Sequence, residues 1–494
     1  MPRISAALIL LTCLRVQAQP HRAGDLALEP YTFRTYDGAT YPSELGHLWV
    51  SENRDISTGR LLQLAFVRIK TTSEKPRPPI VFLPGGPGIP ATGIGRVPVY
   101  FALFKKLLTL SDVILLDQRG IGMSSPNTEC PKEPSPPRDV FLSEATFRAA
   151  LIARARTCAA SWRAQALDLT AFTTAASADD LEDLRHALGA PKLSLIGHSY
   201  GTTLALEAVR RHGEHLDRVV LAGVDGPDHQ LHLPLVSDFA LRKLSAMAAA
   251  SPQLDGVFPD TYGEFRRVQE KLAHEPLIVH VRDEQRKQEV ELKIGALFLQ
   301  FTIKDMLSNG RKADRVPALV YSLARGDTSL LAPAASDLYN GLSSGFSAMQ
   351  FAVSCSDGWS DARRRLAQAQ APRSAFGDAP FVHLDPDLCR EAGAAKPAAD
   401  SLLPIWSTVR TLAVSGTLDS NTPGFQAAEV LWGLVNGGSL LVDYGFHETL
   451  PSPDVQAVVA EFLGGADISH RIVHEPPLRF LTIEEAKAAP QPAH

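Results

Sequence analysis

Apolar residues fall into two alternating rhythms along most of this chain. Ile80 to Leu83, Val113 to Leu116, Leu193 to Ile196, Arg218 to Ala222, Thr411 to Val414 and Ser439 to Val442 are short runs of the length and composition of buried strands. Val97 to Leu108, Ser143 to about Trp162, and Pro423 to Leu434 repeat apolar residues at helical spacing. Ser177-Ala178-Asp179-Asp180 has the form of a capping box and predicts the start of a helix running to Leu188. Ser452-Pro453 opens a last helix. Ahead of these, His47 to Val50 and Leu61 to Ile69 are separated by polar turn residues, which predicts an antiparallel hairpin at a sheet edge. Strands alternating with helices predict a mostly parallel sheet flanked by helices on both faces.

The rhythm breaks once. From 227 to 403 the pattern is mostly helical, with loops and little that looks like a buried strand. An interruption of roughly 175 residues is too long for a loop and predicts a unit of its own. The expected partition is a leader over 1–18, a first core segment over 19–226, a mainly helical insertion over 227–403, and a second core segment over 404–494. Nothing definite is legible after about Asp467.

The leader is expected from Arg3, the apolar run Ile4 to Leu14 and the small-x-small pattern Val16-Gln17-Ala18. That run is too short to span a bilayer. Thr12 ahead of Cys13 fits lipoprotein processing poorly. Export predicts a secreted or periplasmic protein and makes cysteine pairing relevant. Four cysteines follow the leader, and three pairings are open. Cys130 with Cys158 and Cys355 with Cys389 are preferred, since each closes one local excursion; buried free thiols are the alternative. A hydrophobic content of 45% describes an ordinary globular chain. A net charge of -5 argues against a nucleic-acid partner and gives no membrane-surface signal.

The chemistry centres on Gly197-His198-Ser199-Tyr200-Gly201. A buried strand precedes it, and Leu204, Ala205, Ala208 and Val209 follow at helical spacing. G-x-S-x-G between strand and helix is the pattern of a nucleophile elbow, in which a tight turn lifts the serine hydroxyl toward a base. The alternative is an ordinary strand-to-helix turn. A serine needs a base, and the base needs an orienting acid. Asp419 follows the strand ending at Val414, and His447 follows the strand ending at Val442. Both then lie at the carboxyl edge of the sheet with Ser199. Asp357 and Asp443 are rivals for the acid. Two N–H donors are needed for the developing oxyanion. Tyr200 supplies one by position, and the Gly85-Gly86 loop supplies the other. A phosphate-loop reading of Gly85 to Gly88 lacks the required Lys-Ser/Thr end. His229 and His232, near Asp225 and Asp228, leave a metal site as a minor alternative to a polar junction.

Taken together, PGGPG at 84–88, DQRGIGMSS at 117–125, GHSYGT at 197–202, SGTLDSNTP at 415–423 and His447 resemble the proline iminopeptidase and tripeptidyl-aminopeptidase group of serine peptidases. The resemblance runs over about residues 45 to 465 and is vague in the insertion. It implies an α/β-hydrolase fold with a helical cap formed by 227–403, and disulfides in exported members. It also implies Ser199 as nucleophile, Asp419 as acid, His447 as base, and Gly86 with Tyr200 at the oxyanion. The chain departs from the pattern in having Pro84 where iminopeptidases often have histidine, and Ile89-Pro90 after the glycines. An aminopeptidase also needs a carboxylate for the substrate ammonium, and Asp225 and Asp228 are the candidates.

The expectation is a secreted serine hydrolase working through an acyl-enzyme, releasing residues from peptide N-termini. Carboxylester or small-amide hydrolysis is the alternative, and a non-catalytic binding protein on the same scaffold is a third reading. No metal or organic cofactor is expected. The partners are small peptide, ester or amide substrates, without nucleic acid or membrane, and oligomeric state is not legible.

Overall fold

The computed structural model describes residues 21–56, 59–343, 346–379 and 386–490. The expected leader and Cys13 lie outside the described residues. Among the described residues twelve strands are formed: β1 Leu26–Arg34, β2 Thr40–Ser51, β3 Leu61–Ile69, β4 Ile80–Leu83, β5 Val113–Leu116, β6 Leu193–His198, β7 Leu216–Ala222, β8 Leu277–Asp283, β9 Gln288–Ile294, β10 Arg410–Gly416, β11 Gly437–Asp443 and β12 His470–His474. Ten of them make one sheet in the order β1-β2-β3-β5-β4-β6-β7-β10-β11-β12. β1 to β3 form an antiparallel meander that joins β5 antiparallel. From β5 to β12 every neighbouring pair is parallel.

The four residues of β4 and of β5 are all buried because the sheet is covered on both faces. Successive side chains point to opposite faces. Val81, Leu83, Ile114 and Leu116 join one core, against residues of the helices Glu144–Ala164, Thr174–Ala187 and Tyr200–His212. Ile80, Phe82, Val113 and Leu115 join another, against the helices Pro98–Leu107 and Pro453–Leu463.

Between β7 and β10 the chain runs through helices, among them Pro234–Ala249, Thr261–Leu272, Ala296–Ser308, Ala348–Asp357 and Asp361–Gln370. Most of these contribute to a third core containing Leu241, Phe265, Leu299, Leu319 and Tyr339. That core also takes in Phe147 and Leu151 from before β6, and Phe480 and Ala486 from the tail.

Several expectations need correction. The helix expected from Ser177 starts a turn earlier. Thr173 is its N-cap and accepts from the Ala176 N–H at 3.1 Å, while Ser177 is buried inside the first turns. The stretch expected to hold little strand contains the β8–β9 hairpin. Its alternation, with Val279, Val281, Val290, Leu292 and Ile294 inward, was readable in the sequence. The tail beyond Asp467 is not featureless, since β12 extends the sheet. The local disulfides both form, Cys130–Cys158 with Cα atoms 5.0 Å apart and Cys355–Cys389 with 5.5 Å. Among the described residues no helix is long and apolar enough to cross a membrane.

Candidate active site

β6 ends at His198 and the helix Tyr200–His212 starts two residues later, so Ser199 must reverse the chain alone. It does so at φ 53°, ψ -126°, a conformation most residues avoid. A Cβ at Gly197 would lie 2.4 Å from the Gly201 carbonyl oxygen, and one at Gly201 would lie 1.9 Å from that of Leu83. Both glycines are therefore required by backbone contact. The Ser199 N–H donates to the Ala222 carbonyl at 2.9 Å, which ties the elbow to the end of β7.

The PGGPG loop passes directly over the serine. A side chain at Gly85 would come within 2.8 Å of Ser199 Cβ and 3.3 Å of its Oγ. Gly86 next to it has φ +115°, open to glycine alone without strain. Tyr200 is the first residue of its helix, so its N–H has no acceptor within that helix.

The DQRG segment holds these loops in place. Asp117 is buried and accepts from the Thr92 N–H at 3.0 Å, the Thr92 hydroxyl at 2.7 Å and the Met123 N–H at 2.9 Å. Arg119 grips Asp180 with two nitrogens at 2.8 and 2.7 Å and donates to the carbonyls of Glu52 and Ala171.

Asp419 and His447 meet at the ends of β10 and β11. His447 Nδ1 lies 3.0 Å from Asp419 Oδ2, and both side chains are buried. Asp419 Oδ1 accepts the N–H groups of Asn421 and Thr422 at 2.8 and 2.9 Å. The Thr422 hydroxyl donates to Asp419 Oδ2 at 2.7 Å and sits 3.0 Å from His447 Nδ1. Nδ1 is thus held on the acid's side, which leaves Nε2 as the nitrogen for a reacting hydroxyl. The ring lies against Gly223, where a Cβ would fall 2.9 Å from His447 Cε1. Gly223 directly follows Ala222, the residue bonded to Ser199.

Burial alone would favour an uncharged Asp419, but His447 and the Thr422 donors outweigh it and hold the carboxyl far below its usual range. Burial would likewise lower His447, yet the Asp419 carboxylate raises it above an ordinary histidine.

The rival acids are elsewhere. Asp443 faces Thr417, the Tyr444 N–H and His474. Asp357 is buried near Tyr200, whose hydroxyl is 3.1 Å from that of Thr174, and makes no contact with His447 among the described residues.

The two ammonium candidates differ sharply. Asp228 binds the Ser360 N–H and hydroxyl with its two oxygens, both at 2.6 Å. Asp225 accepts only from Gln230 Nε2, at 2.8 Å; its Oδ1 is buried without a partner among the described residues. Burial pushes the Asp225 carboxyl up to about 7, against the opposing pull of His447 and Arg363. Asp357 Oδ2 is also buried without a partner among the described residues, and burial pushes that carboxyl up to about 7 as well, against the pull of the Thr174 hydroxyl and with Asp225 and Glu207 adding to the shift. Asp357 lines a cavity of about 130 Å³ together with Thr174, Thr203, Asp228 and Gln230. His229 is committed to Glu429 at 2.7 Å and accepts from the Gly226 N–H at 3.2 Å.

The sequence reading missed Thr422, although it stands three residues after Asp419. It also missed His198 and Glu448, which are the chain neighbours of Ser199 and His447.

The alpha/beta hydrolase fold model matches residues 78–279, which include the PGGPG loop and the elbow. The sheet order and the strand–serine–helix elbow agree with it. The chain has the α/β-hydrolase fold. Its curated relatives include tripeptidyl aminopeptidase from Streptomyces coelicolor, 30% identical over 196 residues, 38% of this chain and 36% of that protein. Serine protease Hip1 from Mycobacterium tuberculosis is 25% identical over 238 residues, 45% of each chain. The putative hydrolase YuaR from Escherichia coli is 27% identical over 164 residues, 33% of this chain and 31% of that one. The chain therefore spans less than half the length of the curated relatives it matches. Within that span its likeness is to the peptidase group that its motifs indicate.

Proposed function

We propose that this hydrolase cleaves acyl bonds through Ser199, His447 and Asp419, and that its substrates are peptides with a free N-terminus. The observation that carries the triad is the buried 3.0 Å pair of His447 Nδ1 and Asp419 Oδ2, its ring seated on Gly223 one residue from the anchor of Ser199. Ser199 Oγ attacks the carbonyl carbon and its proton passes to His447 Nε2. The oxyanion is met by the N–H groups of Gly86 and Tyr200. The imidazolium returns the proton to the leaving amine, and water releases the acyl-enzyme by the same steps in reverse.

A free N-terminus is favoured by Asp225, whose unpaired oxygen lies close enough to His447 and Asp419 to interact with both charges. A substrate ammonium would give that carboxylate its missing partner. The helical segment over 227–403 acts as the cap, bringing Ser360 and Asp357 to this side of the site. The two disulfides suit an oxidising compartment, in keeping with export.

A panel of aminoacyl p-nitroanilides, their N-blocked counterparts and p-nitrophenyl esters tests the reading. Free-amine anilides are expected to be cleaved, blocked ones poorly, and Ser199→Ala is expected to abolish turnover. Activity on short esters alone would move the function to an esterase. Binding without turnover in both proteins would make it a binding module.

A further inference from the structure

The base is attached to the nucleophile's strand by a second set of contacts that the triad does not use. Glu448 follows His447 directly. Its carboxylate accepts the Tyr100 hydroxyl and lies 3.6 Å from His198 Nε2. His198 immediately precedes Ser199. Its Nε2 is 3.4 Å from the His447 carbonyl oxygen, and the two imidazole rings are 5.1 Å apart. Three elements meet here: the helix Pro98–Leu107 through Tyr100, β6 through His198, and the loop after β11 through Glu448.

We propose that Glu448 is a positioning residue for His447: joined to Tyr100 and His198, it clamps the base's loop to the nucleophile's strand and holds a second carboxylate beside the imidazole. This rests on His447 being the base.

Asp419 serves the ring's Nδ1 and is itself satisfied, so it does not fix the loop from the nucleophile's side. Glu448, held by the Tyr100 hydroxyl, approaches that side at His198. Its side chain is 37% exposed, so water screens its charge and its influence is smaller than that of buried Asp419. The charged and titratable groups around His447 are Asp419 after β10, Asp225 after β7, His198 on β6 and Glu448 itself. Lys304 approaches from the helix Ala296–Ser308, held on Asn421, and Arg311 stands near Tyr100. Of these, Glu448 and Asp225 join Asp419 in favouring the imidazolium.

Fluorophosphonate labelling of Ser199 tests the clamp without a known substrate. The serine oxygen bonds to phosphorus, fluoride leaves, and the serine proton goes to His447. Labelling therefore rises with pH as His447 becomes neutral. Glu448→Gln keeps an acceptor for Tyr100 but removes the charge. The expected result is plateau labelling about fivefold slower and an acid limb moved about half a pH unit lower, a shift that shrinks in 1 M salt. Glu448→Asp is expected to fall between Gln and wild type. An acid limb that stays at the wild-type pH in Glu448→Gln overturns the proposal, whether or not the plateau falls. Should that variant not fold, Tyr100→Phe decides: labelling slowed about threefold supports the clamp, and wild-type labelling overturns it. His447→Gln separates this from the parent reading. If that variant still labels at the wild-type rate, His447 is not the base, whatever Glu448 does.

Discussion

Asp228 is locked to Ser360 through both carboxylate oxygens, one on the N–H and one on the hydroxyl, each at 2.6 Å. Asp228 has φ +63°, so the pair also holds a left-handed turn against the start of the helix Asp361–Gln370. Both oxygens of Asp228 are thus already committed, while Asp225 three residues earlier keeps a buried oxygen unpaired among the described residues. Asp225→Asn is therefore expected to raise KM for free-amine anilides at least tenfold and leave N-blocked or ester substrates nearly unaffected. Asp228→Asn is expected to lower Tm with a small effect on KM. Because an ammonium favours ionised Asp225, KM for free-amine substrates should fall as pH rises through about 7. Equal KM changes in the two variants would remove Asp225 from the site.

The paired burial of Asp225 and Asp357 has a consequence for stability. Both carboxyls are pushed up to about 7 in the folded chain, while in the unfolded chain they titrate near 4. Between these values the folded state holds protons that the unfolded state has lost. Unfolding free energy then falls as pH rises from about 4 to about 7 and levels off above that. The effect is on the order of a few kcal/mol per carboxyl at most. Asp357→Asn should remove one share of that slope, gaining stability over wild type at pH 8 but not at pH 4. Urea midpoints at the two values measure it. A variant that is less stable at both would mean that the Thr174 hydroxyl outweighs the cost of burying the charge.

What was legible in the sequence is what backbone sterics and burial dictate locally. The runs Ile80 to Leu83 and Val113 to Leu116 are apolar throughout because both sheet faces are covered, so their composition announces them. Gly197 and Gly201 are required by contacts of their own backbone, so the elbow shows in five letters. Asp419 and His447 were singled out because each follows such a strand, and the structure brings their side chains together. The rest depends on chain segments that meet only in three dimensions. Thr173 rather than Ser177 caps its helix, and Asp180, expected to close a capping box, is gripped by Arg119. Asp225 and Asp228 look alike in sequence, and only Ser360, more than a hundred residues on, separates them. The β8–β9 hairpin was legible by its alternation and was obscured by the helices around it.

The DQRG motif acts through Arg119, which has no exposure and lies entirely among its acceptors. Its two bonds to Asp180 and its bonds to the carbonyls of Glu52 and Ala171 join β2's end to the helix Thr174–Ala187. Lysine cannot reproduce that fork. Arg119→Lys is expected to cost about 3 kcal/mol, read from chemical denaturation, with kcat of the folded fraction within about twofold of wild type. A variant that keeps wild-type stability and loses turnover would place the motif in the chemistry instead of the scaffold.

Thr422 stands between Asp419 and His447, the proposed acid and base, its hydroxyl donating to Asp419 Oδ2 while its oxygen lies 3.0 Å from His447 Nδ1. It can accept from the ring's N–H and donate to the carboxylate at once, which fixes the tautomer that leaves Nε2 free for the serine. Valine has the same shape without the hydroxyl. Thr422→Val leaves Asp419 its two backbone donors, so the pair persists but the ring loses one of its two guides. kcat is expected to fall about tenfold, or roughly 1.4 kcal/mol in the barrier, with KM unchanged. Thr422→Ser should restore most of the loss. Wild-type kcat in the valine variant, measured beside the serine variant, would show that Asp419 orients the base unaided.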